Sequence, residues 1–282
     1  MANIVATKAE EKATAEAYSP VGRPMLMLAV ICAGIFLAAL DQTVIVTILP
    51  QIISSQFIPL NHVDQAGWIV TSYLLGYTVA MPLLGRVADV FGRKRVYLGC
   101  LLLFLLGSIG CGLTGSGTVL GIETGLPWLY GWRAVQALGG GAILPIGMAM
   151  TRDLFPAERR TFAIGVIGAV AEGGGVLGPI YGAGIISQLP WQWVFFINVP
   201  LGLLAFALVA ALLKGRGGER GVKVDWLGGL LLSGGLLLLT LALSQKTDDP
   251  VNPKLFATDL FLPLLIGAIV CLALFVAVQK FG

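Results

Sequence analysis

The sequence predicts an all-α polytopic membrane protein. Three observations carry that prediction: about eight apolar segments long enough to cross a bilayer, a charged content of only 12%, and basic residues confined almost wholly to alternate loops. Across 282 residues, 57% are hydrophobic, with a mean hydropathy of +0.89. A soluble domain carries about 25% charged residues. A chain this apolar needs lipid as its solvent.

A spanning helix needs about 20 apolar residues. Segments 25–49, 67–84, 96–113, 128–150, 162–186, 194–213, 226–243 and 260–278 meet that requirement. With the N-terminus inside, the inner segments hold Lys8, Lys12, Arg23, Arg86, Arg93, Lys94, Arg95, Arg152, Arg159, Arg160, Lys214, Arg216, Arg220, Lys223 and Lys280. The outer segments hold only Lys246 and Lys254. Lys and Arg collect on the cytoplasmic side, so both ends of the chain are expected in the cytoplasm, with the helices in the inner (plasma) membrane. Trp68, Trp128, Trp132, Trp191 and Trp193 fall at outer helix ends, where an indole ring prefers the interface.

Four regions follow. Residues 1–24 are polar and mixed in charge, a cytoplasmic tail rather than a signal peptide. Residues 25–213 form a six-helix block. Residues 214–224 are basic and glycine-rich and read as a cytoplasmic linker. Residues 225–282 supply two further helices. The six can divide into two groups of three in opposite orientation, the inverted repeat common in secondary transporters.

Cys32, Cys100, Cys111 and Cys271 lie in apolar runs without CxxC spacing, and His62 is the single histidine. The cysteines read as small buried hydrophobes rather than ligands, and neither a metal nor a cofactor is expected. The spans hold no Ser/His pair for a membrane-embedded hydrolase. Nothing points to a nucleic-acid partner.

Asp41, Arg133 and Glu172 fall inside predicted spans. A charge at a helix centre costs about 2.5–3.5 kcal/mol on insertion scales, and such residues mark substrate or proton paths. A non-transporting sensor or scaffold would have little reason to carry three of them. At about 1.5 Å per residue, Asp41 lies roughly 12 Å below the outer surface and Arg133 roughly 8 Å. An ion pair forms if their helices are neighbours. It is either a fixed lock or a proton-coupled pair. Glu172 has no obvious basic partner and is expected as a lone buried carboxyl suited to carrying protons.

Gly174, Gly178 and Gly182 recur every four residues beside Glu172, with Pro179 among them. Such a stripe admits close helix approach, and the proline bends the helix. Helix 4 carries Gly139-Gly140-Gly141. The segment Gly85-Arg86-Val87-Ala88-Asp89-Val90-Phe91-Gly92-Arg93-Lys94-Arg95 is expected as a short loop between helices 2 and 3, flanked by glycines. Arg93 and Asp153 can form a cytoplasmic latch.

That segment resembles the signature between helices 2 and 3 of the major facilitator superfamily, with Val87 where Leu is usual. Arg133-Ala-Val-Gln136 followed by Gly139 and Gly140 resembles its helix-4 motif, with Ala137 in place of Gly. Gly174-x-x-x-Gly178-Pro179-x-x-Gly182 resembles the helix-5 antiporter motif, with Ala183 in place of the final Gly. Leu40-Asp41-Gln-Thr-Val-Ile-Val-Thr-Ile-Leu-Pro50 and Trp191-Gln-Trp-Val-Phe-Phe-Ile-Asn198-Val-Pro200 resemble helix 1 and the entry to helix 6 of the fourteen-helix drug:proton antiporters. The segment Trp68 to Tyr77, and Glu172 ahead of the glycine stripe, look like actinobacterial members of that branch that export triacylglycerides with a lipoprotein.

The resemblance implies proton-coupled efflux of hydrophobic or amphipathic compounds, with lipid export as the alternative. It assigns Asp41, Arg133 and Glu172 to proton coupling or the substrate path, and Gly85, Asp89, Gly92, Arg93, Arg95 and Asp153 to a cytoplasmic gate. Gly174, Gly178, Pro179 and Gly182 become the antiporter helix. Implied partners are the bilayer, a hydrophobic or lipid cargo, and a lipoprotein. A second six-helix half is needed as well, so the chain is expected to be part of a protein near twice its size, or one half of a split transporter.

Overall fold

The computed structural model describes residues 24–54, 66–119, 121–213, 225–244 and 260–281. The predicted tail, apart from Pro24, and the linker 214–224 lie outside the described residues. Eight helices among the described residues are long and apolar enough to cross a membrane, and the chain is a multi-pass membrane protein. They are α1 (Pro24–Ser54), α2 (Gly67–Phe91), α3 (Arg93–Gly112), α4 (Leu126–Leu154), α5 (Ala157–Ile186), α6 (Trp193–Leu212), α7 (Trp226–Leu243) and α8 (Phe261–Phe281).

Several helices outrun their apolar segments. α1 continues through Pro50 to Ser54. The largest correction concerns the expected loop Gly85 to Arg95. Nothing between Arg86 and Phe91 breaks a helix, so α2 runs on to Phe91 and Gly85 lies inside it. The turn is a single residue. Gly92 adopts φ 97°, a backbone region that only glycine enters cheaply. Its N–H donates to Ala88 O at 3.0 Å and closes α2, while its carbonyl accepts from Val96 N at 3.2 Å and opens α3. A short antiparallel hairpin, β1 (Thr118–Val119) and β2 (Ile122–Glu123), joins α3 to α4. Its strands of two residues leave no periodic pattern in the sequence.

Packing respects the inverted repeat. α1 packs on α5 as α4 packs on α2, and α4 packs on α3 as α1 packs on α6. Exchanging the first three helices for the second three maps each pair onto the other. Glycines set the closeness. At Gly139 an added Cβ would collide with the α3 backbone at Cys100 O and Phe104 N, and at Gly141 it would lie 2.8 Å from Tyr77 O of α2. Two successive faces of α4 thus receive two different helices.

Two apolar clusters fill the six-helix block. One gathers Ile31, Ile35, Tyr97, Phe104, Ile146 and Ile167 toward the end where Arg93 sits. The other gathers Val44, Ile48, Ile69, Leu129, Val194 and Phe195 toward the tryptophan-rich end. At that end Trp68 and Trp193 are exposed as an interface belt requires, but Trp191 is buried. Trp191 belongs to the second cluster and packs edge-on against Phe195, so it fills the core instead of joining the belt.

α7 and α8 form a hairpin docked on α2. Ser233 Oγ donates to Val79 O at 3.3 Å. Asp225 caps α7 by accepting from Gly228 N at 2.8 Å, and its other oxygen accepts from Gln279 Nε2 at 2.5 Å near the end of α8.

Candidate functional site

Asp41 and Arg133 meet between the two apolar clusters. The packing of α1 against α4 brings the Arg133 Nη1 donor to 2.7 Å from Asp41 Oδ2, with neither side chain exposed. Asp41 Oδ1 accepts from Gln136 Nε2 at 2.9 Å and from Asn198 Nδ2 at 2.8 Å. Gln136 is itself held: its Oε1 accepts from Arg133 Nη1 at 2.7 Å, and its Nε2 also donates to Ser108 Oγ at 2.7 Å. Five residues from α1, α3, α4 and α6 therefore join in one network. Both carboxylate oxygens are occupied by donors, which offsets part of the cost of burying the charge.

Asp41 and Arg133 were legible as charges in apolar runs. Gln136, Asn198 and Ser108 were not singled out as site residues. Gln136 lies three residues after Arg133, hence on the same helix face. Asn198 is an amide in an otherwise apolar stretch of α6 and carries the same signal of costly polarity. Ser108 offers no such signal, because serine is common in spanning helices.

Glu172 does not join the network. It is exposed on α5, contrary to the expectation of a buried carboxyl. The cause is the glycine stripe. Gly174, Gly178 and Gly182 are buried against α1, where added Cβ atoms would lie 2.8 Å from Ala39 Cβ, 2.8 Å from Leu40 O and 2.7 Å from Val44 Cγ2, respectively. Residues advance about 100° each around a helix, so Glu172 lies about 200° from Gly174. It points away from α1, on a face with exposed Val176, Pro179 and Ile180.

At the opposite end of the block, Arg93 joins two carboxylates. Its Nη1 lies 2.7 Å from Asp153 Oδ1 and its Nη2 lies 3.0 Å from Asp89 Oδ1. The Arg93–Asp153 latch read from sequence is present, and Asp89 completes it. Gly92 supplies the turn that sets Arg93 at the head of α3. Gly85 has no neighbour within 4 Å of a Cβ position, and Arg95 is exposed and stays outside the cluster. Lys94 Nζ donates to Ala210 O at 2.8 Å and Leu213 O at 2.5 Å, capping the last turn of α6. These side chains are about a third exposed, so solvent screening limits each pair to about 1 kcal/mol. Arg93→Ala is expected to lower the thermal unfolding midpoint by about 2–4 °C, read by fluorescence in detergent. A loss above about 10 °C would show that solvent does not screen the cluster.

A spanning six-helix block whose two triplets of helices pack alike around a buried ion pair is an arrangement found in secondary transporters. The chain belongs to the Major Facilitator Superfamily, whose profile matches residues 31–281. It is 37% identical over 218 residues to multidrug resistance protein 3 of Bacillus subtilis, covering 77% of this chain and 40% of that protein. It is 39% identical over 253 residues to a triacylglyceride transporter of Mycobacterium tuberculosis, covering 88% of this chain and 47% of that protein. The chain thus spans about half the length of these relatives. The fold is shared with the inward-open xylose transporter of E. coli, at a TM-score of 0.59 and 17% identity over 92% of this chain and 70% of that one. A human organic anion transporter also matches at a TM-score of 0.59 and 18% identity, over 83% of this chain and 59% of that one.

Proposed function

We propose that this chain forms the N-terminal six-helix half, with a following helix hairpin, of a proton-coupled exporter of hydrophobic or amphipathic compounds. The observation that carries the reading is Asp41: a carboxylate with 1% exposure, paired to Arg133 inside a bundle whose surface suits lipid. Such a group has no structural necessity, since a well-packed apolar replacement of a buried pair is often as stable. It can exchange a proton, and Arg133 cannot readily do so. Proton uptake at Asp41 weakens its bond to Arg133 and changes the relation of α1 to α4. Alternating access then requires a second bundle to rock against this one, and the exposed Glu172 face of α5 suits a water-filled path or that second half. Glu172 remains a candidate proton carrier on that path, and Arg93, Asp89 and Asp153 a gate at the cytoplasmic end. The basic loops support a topology with both ends of the chain in the cytoplasm, and a plasma-membrane location goes with that reading.

A lipid cargo is the second reading. It is favoured by the similarity to triacylglyceride transporters over 88% of the chain, and a lipoprotein partner would belong to that reading. The test is proton uptake by proteoliposomes holding the intact transporter. Ethidium and a fluorescent triacylglyceride are added in separate arms. Cargo-dependent proton movement supports the proposal, and the arm that responds names the cargo class. Transport of either probe with no proton movement would overturn proton coupling.

A further inference from the structure

We propose that Tyr73 is a positioning residue that holds the Arg133 guanidinium in place when Asp41 becomes neutral. This rests on the proton-coupled reading above. A guanidinium carries five N–H donors. Among the described residues, only Nη1 of Arg133 hydrogen-bonds, to Asp41 Oδ2 and Gln136 Oε1. Nε and Nη2 are buried with no hydrogen-bond partner among the described residues. In their place stand two aromatic rings. Arg133 Cζ lies 4.2 Å from the Tyr73 ring centroid and 5.6 Å from that of Phe195. A ring face within about 6 Å attracts a cation through its quadrupole, and more strongly where water is excluded.

The consequence concerns the protonated state. With Asp41 ionised, the pair is close to neutral. With Asp41 protonated, Arg133 keeps its charge and faces only neutral acceptors, the Asp41 carboxyl and the Gln136 carbonyl, and the rings. Among the described residues, the other titratable groups near the pair are Tyr77 of α2, Cys111 of α3 and Tyr181 of α5, none of which is an anion at neutral pH. The ring of Tyr73 therefore compensates most when the carboxylate charge is gone. The face is used rather than the hydroxyl: Tyr73 Oη is buried and makes no hydrogen bond among the described residues. Gly140 leaves room for that hydroxyl, since a Cβ there would sit 3.1 Å from it.

A space-filling ring and a cation-binding ring make different predictions. Thermal unfolding of the intact transporter in detergent is measured for Tyr73→Phe, Tyr73→Leu and a trifluorinated phenylalanine at position 73. Each is made with Asp at position 41 and again in the Asp41→Asn background. Phenylalanine is expected to match tyrosine in both backgrounds. The trifluorinated ring, with its face depleted of negative charge, and leucine are expected to lower the midpoint by about 2–4 °C more in the Asp41→Asn background. Equal losses in the two backgrounds overturn the inference. Trifluorination keeps the ring in place, so a folding failure of the leucine variant leaves the test intact. Ethidium or triacylglyceride export by Asp41→Asn vesicles is scored separately. Wild-type proton-driven export there would sink the coupling reading, whatever the unfolding cycle gives.

Discussion

Asp41→Asn, in the intact transporter, is expected to collapse the proton-driven cargo gradient to about unity while leaving a folded protein in the membrane. Asparagine keeps the size of the side chain, and its Oδ1 can still accept from Asn198 and Gln136, while its Nδ2 donor stands where an oxygen accepted from Arg133. What disappears is a group that gains and loses a proton. One proton falling through 100 mV supplies about 2.3 kcal/mol, and one pH unit adds about 1.4 kcal/mol. Together they sustain roughly a 500-fold gradient. Everted vesicles loaded with ethidium or a fluorescent triacylglyceride, with the proton gradient clamped, read that ratio directly. A gradient within threefold of wild type would remove Asp41 from the coupling mechanism. Glu172→Gln is the parallel measurement for the second acid, and only its exposed position on α5 distinguishes the two in advance.

Gly178→Val is expected to have the largest effect on assembly. The added atoms enter the space of Thr43 and approach Leu40 O, itself backbone. Backbone cannot rotate away as a side chain can, so α5 must separate from α1 along the whole stripe. Overpacking a well-packed core costs about 1–3 kcal/mol and occasionally more, and here three successive glycines share the contact. We expect the unfolding midpoint to fall by about 6–12 °C, with export lost in proportion. Gly165→Ala is the control: nothing lies within 4 Å of its Cβ position, and it is expected to be neutral or slightly stabilising. A Gly178→Val protein with a wild-type midpoint would show that α1 and α5 are less closely packed than their glycine contacts require.

The eight spans were legible because apolar length alone specifies them, and Asp41 and Arg133 because charge in an apolar run is costly enough to stand out. The Arg93–Asp153 contact was legible because both residues end spans on the same side. Other features failed for physical reasons. The segment Arg86 to Phe91 looks like a loop by charge, yet it lacks a breaker before Gly92, and helix geometry prevailed over polarity. Depth along the helix puts Glu172 in the interior, whereas rotation about the helix axis turns it outward. The glycine stripe already specified the rotation. Trp191 was assigned by its position at a helix end, whereas packing against Phe195 decided its burial. The β1–β2 hairpin has glycine turn signals at Gly115, Gly117 and Gly121, each at positive φ, but strands of two residues are too short to show a period.

The carboxylate and the surface on which the α5 glycines ride belong to the same stiff rod. Asp41 follows directly on Leu40, whose carbonyl faces Gly178, with no side chain on the α5 side to cushion the contact. A tilt of α1 would therefore reach α5 through backbone, with only α1 side chains such as Thr43 and Val44 free to absorb part of it. Electrostatic work done at position 41 would then be delivered in part as displacement of the neighbouring helix, one residue from the Leu40 carbonyl that meets it.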